Sequence, residues 1–130
     1  MIYHGDEHKR KRTGGRKVPY RKKRKAHMGR YPINTILKER KTKKVRTKGG
    51  GLKVKLVSDN YVNAYDPDTR KVYRLKILRV VGNPASADLE RRGIITKGAL
   101  LETEMGIVRV TSRPGQVPLI NGVIIEKPKT

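Results

Sequence analysis

The lysines and arginines of this chain are crowded at one end. Residues 1–55 hold 21 of them and only three acids, Asp6, Glu7 and Glu39, for a net charge of +18. Residues 56–130 hold 12 basic and eight acidic residues, a net of +4. Like charges packed together repel, and the aliphatic residues between Met1 and Gly51 stand singly among runs such as Lys9-Arg10-Lys11-Arg12 and Arg21-Lys22-Lys23-Arg24-Lys25. Burial there cannot offset the entropy of ordering the chain. Pro19, Pro32 and glycines at Gly14, Gly15, Gly29 and Gly49 to Gly51 also break any long helix. Residues 1–51 are therefore expected to be a basic extension without a core of its own, ordered only on a partner, and residues 52–130 a folded domain.

The whole chain has 130 residues and a formal charge of +22, enough for one domain and an appendage. A surplus of that size calls for an anionic partner, most often nucleic acid. With no cysteine there is neither a disulfide framework nor a thiolate zinc site. No stretch approaches a membrane span, and the basic start is followed by no apolar signal core. A soluble intracellular protein without a membrane partner is expected.

From Leu52 the pattern turns to period two. Leu52, Val54 and Leu56 alternate with lysines, as in a strand with one buried face. Asp66-Pro67-Asp68-Thr69 signals a turn, and Tyr73, Leu75 and Ile77 start a second alternation whose parity shifts to Leu78 and Val80. A one-residue shift predicts a β-bulge or sharp bend. Asn83-Pro84 opens, and Gly93 closes, one short helix. Further strands are expected at Ile94-Ile95, 99–103, 107–111 across a Met105-Gly106 turn, and 123–125. The fold class is all-β: a small antiparallel β-barrel with one short helix and the long basic N-terminal extension.

Catalytic constellations are weak. Glu102 and Glu104 share a strand face by parity, yet exposed acids on a hairpin are commoner than an acid/base or metal pair. His4, His8 and His27 lie in the coreless segment, where nothing fixes a tautomer or ligand geometry. Gly93 and Gly98 have the spacing of a phosphate loop, but Ala99 and Leu100 stand where Lys and Ser/Thr are needed, so Lys97-Gly98 reads as a turn. No catalytic residue, metal ligand, cofactor or small-molecule substrate is expected.

The basic segment is the strong signal. Lysines and arginines neutralise phosphates and release counterions, and arginine also stacks on splayed bases, which favours folded RNA. Tyr3, Tyr20 and Tyr31 either stack on bases or pack on protein. Fully extended, about 50 residues reach on the order of 165 Å at ~3.3 Å each, enough to thread between packed helices. A nuclear-localisation cluster or solvated charge run at Lys22 to Lys25 is the alternative, and it leaves the charges continuing to Lys55 unexplained.

At these residues the chain resembles the small-subunit ribosomal protein family S-eight-e, over nearly its whole length and most closely in its short archaeal form. The matching stretches are Tyr3 with Gly5; Thr13-Gly14-Gly15-Arg16; Arg21-Lys22-Lys23-Arg24-Lys25; Gly29-Arg30 with Pro32; and Arg46-Thr47-Lys48-Gly49-Gly50. Later ones are Asn83-Pro84-Ala85, Arg91-Arg92, Ile94-Ile95-Thr96-Lys97-Gly98-Ala99 and Thr111-Ser112-Arg113-Pro114-Gly115-Gln116. The resemblance implies a barrel in the body of the small subunit with an extension embedded in ribosomal RNA. It carries over Arg16, Arg21, Lys22, Lys23, Arg24, Arg30, Arg46 and Lys48 as RNA contacts. Arg10, Arg12, Lys25, Lys53 and Arg113, from the same runs and motifs, complete the candidate RNA-binding set. Ala26-His27, Gly51 and Val117-Pro118-Leu119 depart from the family pattern.

The resemblance makes the expected function structural: stabilising small-subunit ribosomal RNA in support of translation, beside neighbouring small-subunit proteins, on cytoplasmic ribosomes, without catalysis. The alternative is a ribosome-assembly factor sharing the barrel, although such factors generally carry further sequence before it. An enzyme built on Glu102 and Glu104 and a chromatin-like DNA binder rank lower.

Overall fold

The computed structural model describes residues 2–5 and 9–127. Asp6, Glu7 and His8 lie outside the described residues. The chain forms two compact units, residues 1–32 and 33–130.

In the first unit, β1 (Ile2–Tyr3) pairs antiparallel with β2 (Met28–Gly29), Tyr3 opposite Met28. The His4 amide extends the pairing by donating to the His27 carbonyl at 2.7 Å. Arg10 and Arg16 bridge a tight turn closed by the Lys11 amide on the Gly15 carbonyl at 2.9 Å. None of the described residues here is buried, so backbone pairing and turns, not apolar packing, shape this unit.

The second unit contains β3 (Ile36–Leu37), β4 (Lys41–Arg46), β5 (Leu52–Asp59), β6 (Tyr61–Asp66), β7 (Lys71–Gly82), α1 (Ala87–Arg91), β8 (Leu100–Thr103), β9 (Gly106–Val110) and β10 (Asn121–Glu126). Strands β10, β6, β7, β8 and β9 close a barrel in that order, and β3, β5 and β4 form a separate sheet. The all-β barrel with one short helix stands as expected. Alternation places Val62 and Ala64 of β6, Leu75 and Ile77 of β7, Leu101 of β8, Val108 and Val110 of β9 and Ile124 of β10 in one buried cluster. The parity shift in β7 is real: its register with β8 slips between Ile77 and Arg79. That slip lets one long strand turn a barrel corner. The β8–β9 turn is Glu104-Met105, one residue earlier than expected, and Gly106 follows at φ +116° beside the Glu126 carbonyl, where a Cβ would collide.

Four expectations are corrected. The barrel is not wholly antiparallel, because β10 runs parallel to β6, Asn121 opposite Asn63, and a 3.0 Å Asn63–Asn121 side-chain hydrogen bond spans that seam. Strand β5 is outside the barrel. It projects with β4, leaving Leu52 71% exposed at its far end while Leu56 is fully buried at its base. Ile94-Ile95 forms no strand: both are buried, and Ile95 makes a single bridge to Thr35. The helix cap is Ser86, whose hydroxyl accepts from the Asp88 amide, whereas Asn83 is buried as a hub. Its side chain donates to the Ile94 carbonyl at 2.9 Å and accepts from the Ala85 amide and the Thr96 hydroxyl, both at 3.1 Å. A buried amide with three partners is worth more to the fold there than as an exposed cap.

Residues 33–51, which the charge count assigns to the coreless extension, fold with the residues that follow them. Their charge points outward while a few side chains anchor them. Thr35 is buried and donates to the Leu56 carbonyl at 2.9 Å, Val45 is buried on β4, and the Ser58 hydroxyl donates to the Glu39 carbonyl at 2.6 Å.

A carboxylate clasp secures the end of β10. Asp66 is buried; it accepts from the Asp68 amide and the Thr69 hydroxyl, and Lys127 Nζ lies 3.1 Å from it and 2.7 Å from Asp68. Burial alone would raise the Asp66 pKa, but the hydrogen bonds from Lys127, Asp68 and Thr69 and the Lys127 charge together hold it below its usual 3.8. Hydrogen bonding to Asp68 and then Asp66, against a smaller desolvation effect, raises Lys127 above its usual 10.5. A depressed carboxyl stabilises the fold at pH above its unfolded value and stops doing so as pH falls through the folded one. The raised lysine contributes below its unfolded value and stops as pH rises through the folded one. Asp66→Asn is expected to lower the urea midpoint at neutral pH, with the gap from the parent narrowing below about pH 4. A gap that stays constant down to pH 2 would contradict this.

Candidate nucleic-acid interface

Between Lys41 and Val57 there are seven lysines and arginines and no acid. Strand pairing turns that run into a two-sided ribbon. Lys43 stands opposite Lys55 and Val45 opposite Lys53 on one face; Lys44 stands opposite Val54 and Arg46 opposite Leu52 on the other. Successive residues of a strand face opposite ways, so cations emerge on both sides. Lysines on an edge strand such as β4 are an ordinary defence against edge-to-edge pairing. Strand β5 pairs with β3 only at Ser58 and Asp59, so Lys53 and Lys55 lie on a stretch flanked by β4 alone, and the same defence applies to them. Lys43 directly across from Lys55 costs stability, since like charges opposite each other destabilise a ladder. A polyanion on the ribbon removes that cost.

Strand β5 meets a loop of the same unit at two points. Lys53 Nζ donates to Gln116 Oε1 at 3.0 Å, and the Leu56 amide donates to the Pro114 carbonyl at 3.0 Å. The Arg113 carbonyl accepts from the Gln116 and Val117 amides, which curls this loop and leaves the Arg113 side chain exposed. Arg46, Lys48, Lys53 and Arg113 of the predicted set thus belong to one region of the second unit. Sequence reasoning missed Lys41, Lys43, Lys44 and Lys55 as site residues, although their near period-two spacing at 41, 43, 53 and 55 is the sign of cations on a strand face.

The remaining nine predicted residues lie in the first unit, all exposed. Arg10 Nη1 donates to the Gly14 carbonyl at 3.1 Å. Arg12 and Arg16 flank the same turn, and Lys22, Arg24, Lys25 and Arg30 line the way into and out of the 3-10 turn at Lys25–His27. Arg21 sits 4.9 Å over the Tyr20 ring and 3.4 Å from His27 Nε2, and Lys23 sits 5.1 Å over Tyr3. Two of the three tyrosines weighed as base-stacking groups therefore each already carry a cation on a ring face.

Glu102 is not one of a free acid pair; it forms an ion pair with Arg79 across β7 and β8, while Glu104 lies in the turn. Among the described residues no three His, Cys, Asp or Glu side chains gather where a metal ion fits, and no helix is long and apolar enough to cross a membrane.

Comparison with known proteins agrees with this basic, barrel-bearing chain. A family model described as ribosomal protein S8e matches residues 4–125. The small ribosomal subunit protein eS8 of Ignicoccus hospitalis is 50% identical over 128 residues, covering 97% of this chain and 98% of that protein. Its namesake from Nanoarchaeum equitans is 51% identical over 106 residues, covering 82% and 84% respectively. That from Hyperthermus butylicus is 48% identical over 128 residues, covering 97% and 93%.

Proposed function

The chain belongs to the ribosomal protein S8e family, and on that premise we propose that it is a constituent of the small ribosomal subunit that holds ribosomal RNA in place by charge neutralisation. The single observation that supports this most is the β4–β5 ribbon, with cations on both faces, no acid between Lys41 and Val57, and a like-charge pair that a bound polyanion relieves. A ribbon charged on both sides suits a place between two phosphate backbones better than a place on top of one. Arg10, Arg12, Arg16, Arg21, Lys22, Lys23, Arg24, Lys25 and Arg30 add phosphate contacts from the first unit, and Arg46, Lys48, Lys53 and Arg113 extend the ribbon's own surface. The barrel supplies a rigid base from which the ribbon projects. In this reading the protein acts by binding, not catalysis, next to other small-subunit proteins on cytoplasmic ribosomes.

Sedimentation tests the reading. The protein is expected to travel with mature small subunits at physiological salt, with retention falling steeply as salt is raised, because each phosphate contact releases close to one counterion. Its release from mature subunits, with retention only on precursor particles, would contradict it.

A further inference from the structure

The first unit holds a cavity of about 320 Å³ lined by His4, Lys17, Val18, Pro19, Tyr20, Arg21 and His27, with Gly5. Its size is near the lower end for a small-molecule site. The lining is mixed in a specific way: a tyrosine ring, two apolar side chains, two cations and two imidazoles. We propose that this cavity receives one unstacked nucleotide of the bound RNA, an inference that rests on the RNA-binding reading above.

Each part of a nucleotide finds a matching group. Tyr20 is 84% exposed, and Arg21 covers its ring at 4.9 Å, so a base entering the cavity lies against an aromatic surface next to a guanidinium. Lys17 and Arg21 supply the positive charge for the flanking phosphate. His4 offers ring nitrogens to a base edge and His27 its Nδ1, since His27 Nε2 already accepts from Arg21 Nη2 at 3.4 Å. The imidazole of His4 is placed by the β1–β2 pairing: its amide bonds to the His27 carbonyl, and its ring lies where a Cβ on Gly29 would be. A purely electrostatic arm has no use for such a cavity, because phosphate contacts need no concave apolar surface.

The test compares binding of the full chain to pentaadenylate and to a five-residue abasic ribose-phosphate strand of the same charge. The adenylate strand is expected to bind about tenfold or more tightly, the usual scale of base–aromatic stacking. Tyr20→Ala should bring that ratio close to one without changing the salt slope, since no charge is removed. Gly29→Ala, which crowds the His4 ring, should also reduce it, and Tyr65→Ala on the barrel should not. Equal binding of both strands by the parent chain would overturn the cavity proposal while leaving RNA binding intact. So would a Tyr20→Ala effect that is the same on both strands, or one that Tyr65→Ala reproduces. Failure to bind either strand would overturn the RNA-binding reading along with it.

Discussion

Replacing Lys41, Lys43, Lys44 and Lys55 together by glutamine is expected to weaken binding to small-subunit ribosomal RNA by on the order of a hundredfold at physiological salt. It should also flatten the plot of log affinity against log salt by about three units. Four lost phosphate contacts account for both numbers, because each releases a little less than one counterion. The fold should not suffer. Lys41, Lys43 and Lys44 are exposed and Lys55 is half-buried, and the change ends the repulsion between Lys43 and Lys55, so the thermal midpoint is expected to hold or rise slightly. Loss of affinity with gain of stability marks residues kept for a ligand rather than for the fold. Unchanged affinity with a lower midpoint would reverse that assignment.

The second large effect separates two truncations that the charge count alone treats alike. Removal of residues 1–32 is expected to leave the unfolding midpoint of the remainder near that of the parent, since residues 33–130 form a compact unit with the whole buried core. Removal of residues 1–50 should cost about 3 kcal/mol or more. It strips β3 and β4 from β5, takes away buried Val45 and Thr35, and deletes the Glu39 carbonyl that accepts from Ser58 and the Arg40 guanidinium 3.9 Å from buried Asp59. Urea titration of both truncations reads the difference directly. Equal midpoints would mean that residues 33–50 contribute nothing to the folded unit.

That contrast also shows where sequence reasoning reaches and where it stops. Period-two alternation located β5, although outside the barrel, and β7 within it, and the parity slip between Ile77 and Leu78 located the bulge, because side-chain alternation follows directly from strand geometry. Charge density changes near residue 51, whereas the compact units divide after residue 32. It is blind to a strand in which four of six residues are cations and only Val45 is buried, so β4 reads as unfolded chain. The Ile94-Ile95 strand failed for a related reason: two consecutive apolar residues can both be buried in an irregular segment, and pattern alone does not distinguish that from a strand. Parallel closure by β10 was illegible because strand order is set by long-range packing. Of the candidate interface, the cations were legible as a class and the RNA through the family resemblance. Their division between a ribbon and a smaller coreless unit needed the register of Lys43 with Lys55.

The most direct test of the central claim is cross-linking of intact small subunits, with mass spectrometry identifying the peptides of this protein joined to RNA. The account predicts cross-links on both faces of the ribbon, at Lys43 or Lys53 on one side and Lys44 or Arg46 on the other, joined to two separate segments of ribosomal RNA. Cross-links confined to the barrel strands, with the β4–β5 ribbon free of RNA, would contradict it.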